Sequence, residues 1–206
     1  MIRTRTLLAT CLALTGLASP ALAQDSPALL AHQAPLVLDG AGTAWILTST
    51  ALVLMMTLPG LALFYGGMVR KKNIIGTIAH STAALAIVTV LWFIAGYSLS
   101  FGAGPEAVNG FIGGLQAAFL NGVTPQTAHS LLPGLPELLF ISYQLTFAII
   151  TPALIAGAFA ERMKFSASLL FFCLWHLIVY APICHQVWGG GYLGGLGVLD
   201  FAGGAV

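Results

Sequence analysis

Four long apolar stretches, each closed by charged or turn-forming residues, leave this chain few ways to fold. They run over about 43–68, 74–101, 135–160 and 165–187, and each supplies the roughly 20 apolar residues that a membrane-spanning helix needs. Hydrocarbon offers no partner to an open backbone, so such spans close their hydrogen bonds internally as helices. Only 6% of the 206 residues are charged, against roughly 25% in a soluble domain. The pattern predicts an all-α integral membrane protein, with about four complete transmembrane helices and the start of a fifth near Phe201.

Residues 1–23 read as a secretory signal peptide: Arg3 and Arg5 precede an apolar core from Leu7 to Leu17, and Ala21-Leu22-Ala23 is a small-residue cleavage site. An uncleaved anchor is the other reading of this stretch. Residues 24–42 then form an extracytoplasmic segment, and 43–206 the membrane domain. Charge gives the same orientation independently. Arg70, Lys71, Lys72, Arg162 and Lys164 all follow the first or third stretch, which makes those two loops cytoplasmic. Asp25, Asp39, Glu106, Glu137 and Asp200 fall on the other side. The expected product is a multi-pass protein of the cell (inner) membrane with its mature N-terminus outside.

Two stretches lie outside on this topology. Residues 102–134 are rich in Gly, Pro and Asn, with a short interfacial helix expected from Phe111 to Leu120. Residues 188–199 are glycine-rich, and Asp200 ends 35 residues (165–199) that contain no Asp, Glu, Lys or Arg. Pro59-Gly60 should loosen the first helix. Small residues at Ala153/Gly157 and Ala156/Ala160 suit close helix packing.

The chemistry-bearing candidates are few. Phe140, Tyr143 and Phe147 share one helical face, with Gln144 and Thr146 beside them. Phe147 fits core or lipid packing, or the wall of a pathway where a ring face attracts a cation by up to about 2 kcal/mol. Trp188 fits an interfacial belt or a cation–π site. Asp200 could cap the fifth helix, ligand a cation, or orient carbonyls that hold one. His176 lies mid-membrane with Tyr180 four residues on; it fits a functional ionisable group or, more simply, a satisfied structural histidine. His80, His129, His176 and His185 lack zinc spacing, and Cys11, Cys173 and Cys184 suggest neither a metal site nor a disulfide framework. No nucleophile elbow, P-loop or dinucleotide fingerprint argues for an enzyme, no cofactor is implied, and a net charge of +1 gives no hint of nucleic acid.

Four strings occur in order: Pro59-Gly60-Leu61-Ala62-Leu63-Phe64-Tyr65-Gly66-Gly67, Gly157 to Ala167, Val187-Trp188-Gly189-Gly190-Gly191, and Asp200-Phe201-Ala202-Gly203-Gly204. Together they resemble the ammonium transporter (Amt/MEP/Rh) family, over about 43–206. The resemblance implies the first inverted-repeat half of an eleven-helix fold, in a bacterial Amt-type subunit that assembles as a homotrimer. It implies that Phe147 and Trp188 wall an external ammonium site, with Phe147 also part of a gate and Tyr143 beside it. Asp200 resembles the aspartate that supports recruitment without lining the pore. Ammonium or ammonia, with methylammonium as analogue, is the implied substrate, and a P-II signalling protein the implied cytoplasmic partner.

The family's pore histidines, second gate phenylalanine and site serine would all fall beyond Val206, so the sequence is expected to be an N-terminal portion that conducts nothing alone. A membrane ammonium sensor with the same fold and a signalling domain is the alternative. An intramembrane enzyme built on His176 and Asp200 is disfavoured, because the topology sets them at different depths.

Overall fold

The computed structural model describes residues 34, 35, 37–159 and 161–206; the signal peptide expected at 1–23 lies outside them. Among the described residues, four helices are long and apolar enough to cross a membrane. They are α1 (Gly40–Met68), α2 (Lys71–Phe101), α3 (Glu137–Phe159) and a fourth span, Phe165–Gly195. The fourth comprises α4 (165–187) and, after a glycine turn, a single-turn α5 (Tyr192–Gly195). A two-residue antiparallel ladder joins β1 (Ala34–Pro35) to β2 (Thr127–Ala128), pairing Ala34 with Ala128.

Helix α1 starts where the sequence supplies a cap. Asp39 is extended, and its carboxylate accepts from the N–H groups of Ala41 and Gly42 at 3.0 and 3.1 Å. Such a cap stabilises a helix start by about 1 kcal/mol. The Asp39 N–H in turn donates to the Gly134 carbonyl, so α1 and α3 begin at the same end of the bundle.

Helix α2 is central, packing against α1, α3 and α4, while α3 also packs on α1. Its C-terminal half carries Trp92, Tyr97 and Phe101, which are buried with Phe140, Ile141 and Ile149 of α3 and Tyr180 and Cys184 of α4. Apolar side chains such as Leu47, Leu63, Ile75, Leu154 and Ile178 remain exposed on the outer surface. Inside, hydroxyls turn back onto their own helices: Thr57 donates to Val53 O and Ser168 to Phe165 O. That satisfies them without a second helix.

Three spans contain a π-helical segment: Met56–Leu61 in α1, Trp92–Gly96 in α2 and His176–Tyr180 in α4. The first holds Pro59, so the loosening expected at Pro59-Gly60 takes the form of a wider turn that tolerates the missing N–H. The other two face each other, with Trp92 6.0 Å from His176 and 6.5 Å from Tyr180.

The two loops bearing the five basic residues meet at one carboxylate. Glu161 accepts from the Arg70 N–H at 3.1 Å and from the Asn73 side-chain amide at 2.7 Å. Its backbone is left-handed (φ 67°), unusual for a residue with a Cβ. The Asn73 hydrogen bond, then the Arg70 N–H, hold its carboxyl below the usual 4.5.

Two sequence expectations need correction. No helix spans Phe111 to Leu120: turns occupy this stretch, with one short 3-10 turn at Ala118–Leu120. Tertiary hydrogen bonds set the backbone there, since the Ser98 hydroxyl donates to Gly114 O and accepts from the Ala117 N–H. Residues 201–206 do not begin a fifth helix either. The Asp200 carboxylate draws in the N–H groups of Ala205 and Val206, and Gly203 is left-handed (φ 70°).

Candidate functional site

Three of the four residues singled out from sequence come together. Tyr143 and Phe147 are one turn apart on α3, with ring centroids 5.0 Å apart at 85°. Phe147 then meets Trp188, at the end of α4, at 6.4 Å and 77°. Both contacts are edge-to-face, which sets the positive rim of one ring on the negative face of the next. All three rings are half-buried, and Trp188 also rests against the apolar core. A row of ring faces, dry on one side, is an environment that attracts a cation.

The position of Trp188 follows from how α4 ends. Its N–H donates to Cys184 O at 2.8 Å, continuing the helix by one residue. Gly190 then takes a left-handed turn (φ 85°), which only glycine enters without strain. The turn carries the chain back so that Gly191 N–H reaches His185 O and Tyr192 N–H reaches Gly110 O.

Asp200, the fourth residue, makes its hydrogen bonds within its own loop. One carboxylate oxygen accepts from Ala205 N–H at 3.0 Å and the other from Val206 N–H at 3.4 Å. Its carboxylate thus caps the backbone of a turn. Val206 is thereby set against the same apolar core that Trp188 adjoins.

Other buried polar residues have partners that the sequence mostly does not show. Glu137, given no partner by the sequence, is fully buried at the start of α3, where Tyr97 donates to it at 2.7 Å. An acid in the first turn of a helix is a legible signal. Its partner 40 residues away is not. His129 stacks on Phe140 at 4.5 Å and 16°. His176, fully buried, stacks on Tyr180 at 5.5 Å and 19°, the neighbour expected from their spacing. His185 is also fully buried and contacts backbone carbonyls of two other segments. Among the described residues, no group of three or more His, Cys, Asp or Glu is placed to hold a metal ion.

Membrane-length helices, lipid-type outer faces and a row of rings at one end of the bundle define a multi-pass helical membrane protein. A family model described as the Ammonium Transporter Family matches residues 44–206. The chain belongs to that family. It is 48% identical over 171 residues to a putative ammonium transporter of Methanothermobacter thermautotrophicus, covering 83% of this chain and 41% of that protein. It is 50% identical over 170 residues to an ammonium transporter of Aquifex aeolicus, covering 82% and 39%. Among solved structures, Mep2 of Candida albicans matches with a TM-score of 0.68 at 38% identity, covering 81% of this chain and 35% of that one. Mep2 of Saccharomyces cerevisiae matches at 0.70 and 38%, covering 81% and 36%. The chain thus spans about two fifths of the length of the curated relatives it matches. Its four membrane-length helices form the N-terminal part of the family fold.

Proposed function

We propose that the complete protein moves ammonium across the cell membrane as ammonia, and that this chain supplies the entrance. Ammonium is recruited at the extracytoplasmic end by Trp188 and Phe147, with Tyr143 backing Phe147. The observation that carries this reading is the edge-to-face row Tyr143–Phe147–Trp188. A bare cation entering hydrocarbon loses its hydration at severe cost, and desolvated ring faces each return up to about 2 kcal/mol of it. A dry pathway beyond the rings then favours neutral ammonia over the ion.

Asp200 acts from behind the site. Both its oxygens are occupied by backbone N–H groups, which supports a role in holding 201–206 against the core over a direct contact with the ion. The basic residues of the two loops joined through Glu161 support a cytoplasmic location for that end and an extracytoplasmic one for the rings. The mature N-terminus after residue 23 is then outside, the membrane is the inner one, and the subunits form homotrimers. A P-II protein docks on the cytoplasmic face of the complete protein.

The test is methylammonium uptake by cells expressing the complete gene. Trp188→Ala and Phe147→Ala should each raise KM by up to about 30-fold, the equivalent of about 2 kcal/mol. An unchanged KM in both would refute recruitment at these rings. No uptake by the unaltered protein would refute transport and leave the sensor reading standing.

A further inference from the structure

His185, three residues before Trp188, reaches from the end of α4 to two other segments of the bundle. Its ring is fully buried. Nε2 lies 2.7 Å from the Asn109 carbonyl oxygen in the loop after α2, and Nδ1 lies 3.1 Å from the Ser100 carbonyl at the end of α2. Its own carbonyl accepts from both Gly189 and Gly191 N–H at 3.0 Å. One residue therefore ties together α2, the outer loop and the turn that follows Trp188.

The backbones around it have no slack. A Cβ at position 189 would run into the Ser100 carbonyl, and one at 191 would sit 2.7 Å from Gln186 Cα and 2.9 Å from Gly110 O. Trp188 lies between these anchors, and its contact with Phe147 on α3 depends on where this last turn sits.

We propose that His185 is a positioning residue for cation recruitment: by clamping the last turn of α4 to Ser100 and Asn109, it fixes the Trp188 ring against Phe147. This inference rests on the recruitment reading given above. It adds a group that touches neither ring nor cation and acts through backbone alone. Replacing the imidazole by an apolar side chain takes the ring N–H from the carbonyl it serves and the ring contact from the other, and carbonyls so released have reason to move toward water and take the turn with them.

The experiment is methylammonium uptake by the complete protein, with KM and Vmax separated and Vmax normalised to the amount of protein in the membrane. His185→Leu should raise KM about tenfold, part of the full ring contribution, while normalised Vmax stays within about twofold. His185→Gln, which keeps a donor at the Nε2 position facing Asn109, should recover most of the affinity. In the Trp188→Ala background, His185→Leu should add less than about twofold to KM, because the two changes act on one ring.

A His185→Leu variant with wild-type KM would overturn the proposal, provided Trp188→Ala does raise KM. So would KM effects that multiply fully in the double variant, or a loss confined to Vmax. If Trp188→Ala itself leaves KM unchanged, the recruitment reading has failed, and this inference fails with it. Should His185→Leu not reach the membrane, His185→Asn replaces it, reaching toward Ser100 and giving up Asn109. A severalfold rise in KM is then expected, and none would overturn the proposal.

Discussion

Gly157→Ala is expected to destabilise the bundle, against the usual sign for this substitution in a helix. Alanine in place of glycine ordinarily gains about 1 kcal/mol in a helix interior. At 157 the added Cβ would lie 2.8 Å from Tyr65 Cζ and 2.9 Å from Cδ1, with Cε1 nearer still. The ring cannot simply swing away, because its hydroxyl donates to Leu154 O, on the same helix, at 2.7 Å. Overpacking of this kind costs about 1–3 kcal/mol, and losing the hydrogen bond about 1 more. Set against the propensity gain, the net loss is about 1–3 kcal/mol.

Gly76 near the start of α2 is the control, since a Cβ there meets nothing within 4 Å. Gly76→Ala should be neutral or stabilising by up to about 1 kcal/mol. Thermal unfolding of the detergent-solubilised protein separates the two: Gly157→Ala should lower Tm by several degrees and Gly76→Ala should not. In a Tyr65→Ala background, Gly157→Ala should lose most of its cost. If Gly157→Ala raised Tm as the control does, or cost the same without the Tyr65 ring, the proposed clash would be wrong.

Further outcomes can be measured in the same way. Tyr97→Phe removes the O–H that reaches the fully buried Glu137 at 2.7 Å, and should lower stability by about 1.5–3 kcal/mol. A variant that melts with the wild type would show that this bond contributes nothing. Glu161 gives a pH signature, because its folded-state pKa lies below the ordinary 4.5. A depressed pKa makes the link's contribution complete above pH 4.5 and lost as pH falls through the lower folded value. The Tm difference between wild type and Glu161→Gln should therefore be flat from about pH 6 to 8 and shrink in acid. A difference that instead collapsed near pH 7 would point to another group.

What could be read from the residues divides along physical lines. The four spans were legible because apolar composition over 20 residues admits no other solution in hydrocarbon. The ring row was half legible. Tyr143 and Phe147 share a face by spacing alone, but their meeting with Trp188 requires α3 and α4 to be packed first. Phe111 to Leu120 misled because its apolar residues lie where a buried serine hydroxyl, not local propensity, directs the chain. Phe119 and Leu120 are left-handed there (φ 56° and 58°). Glu137 with Tyr97, and His185 with Ser100 and Asn109, are pairings across 40 to 85 residues. No periodicity encodes them.

The π-helical segment at His176–Tyr180 gives α4 two phases. Each residue of an α-helix advances the face by about 100°, and a π turn accommodates one residue more than an α turn. The outer part, which carries His185 and leads into Trp188, is therefore out of step with Phe165–Trp175. A helical wheel drawn through the whole span would assign one of its halves to the wrong side. The direction in which His185 and Trp188 point is thus set by five residues in mid-span, well before the end of the helix.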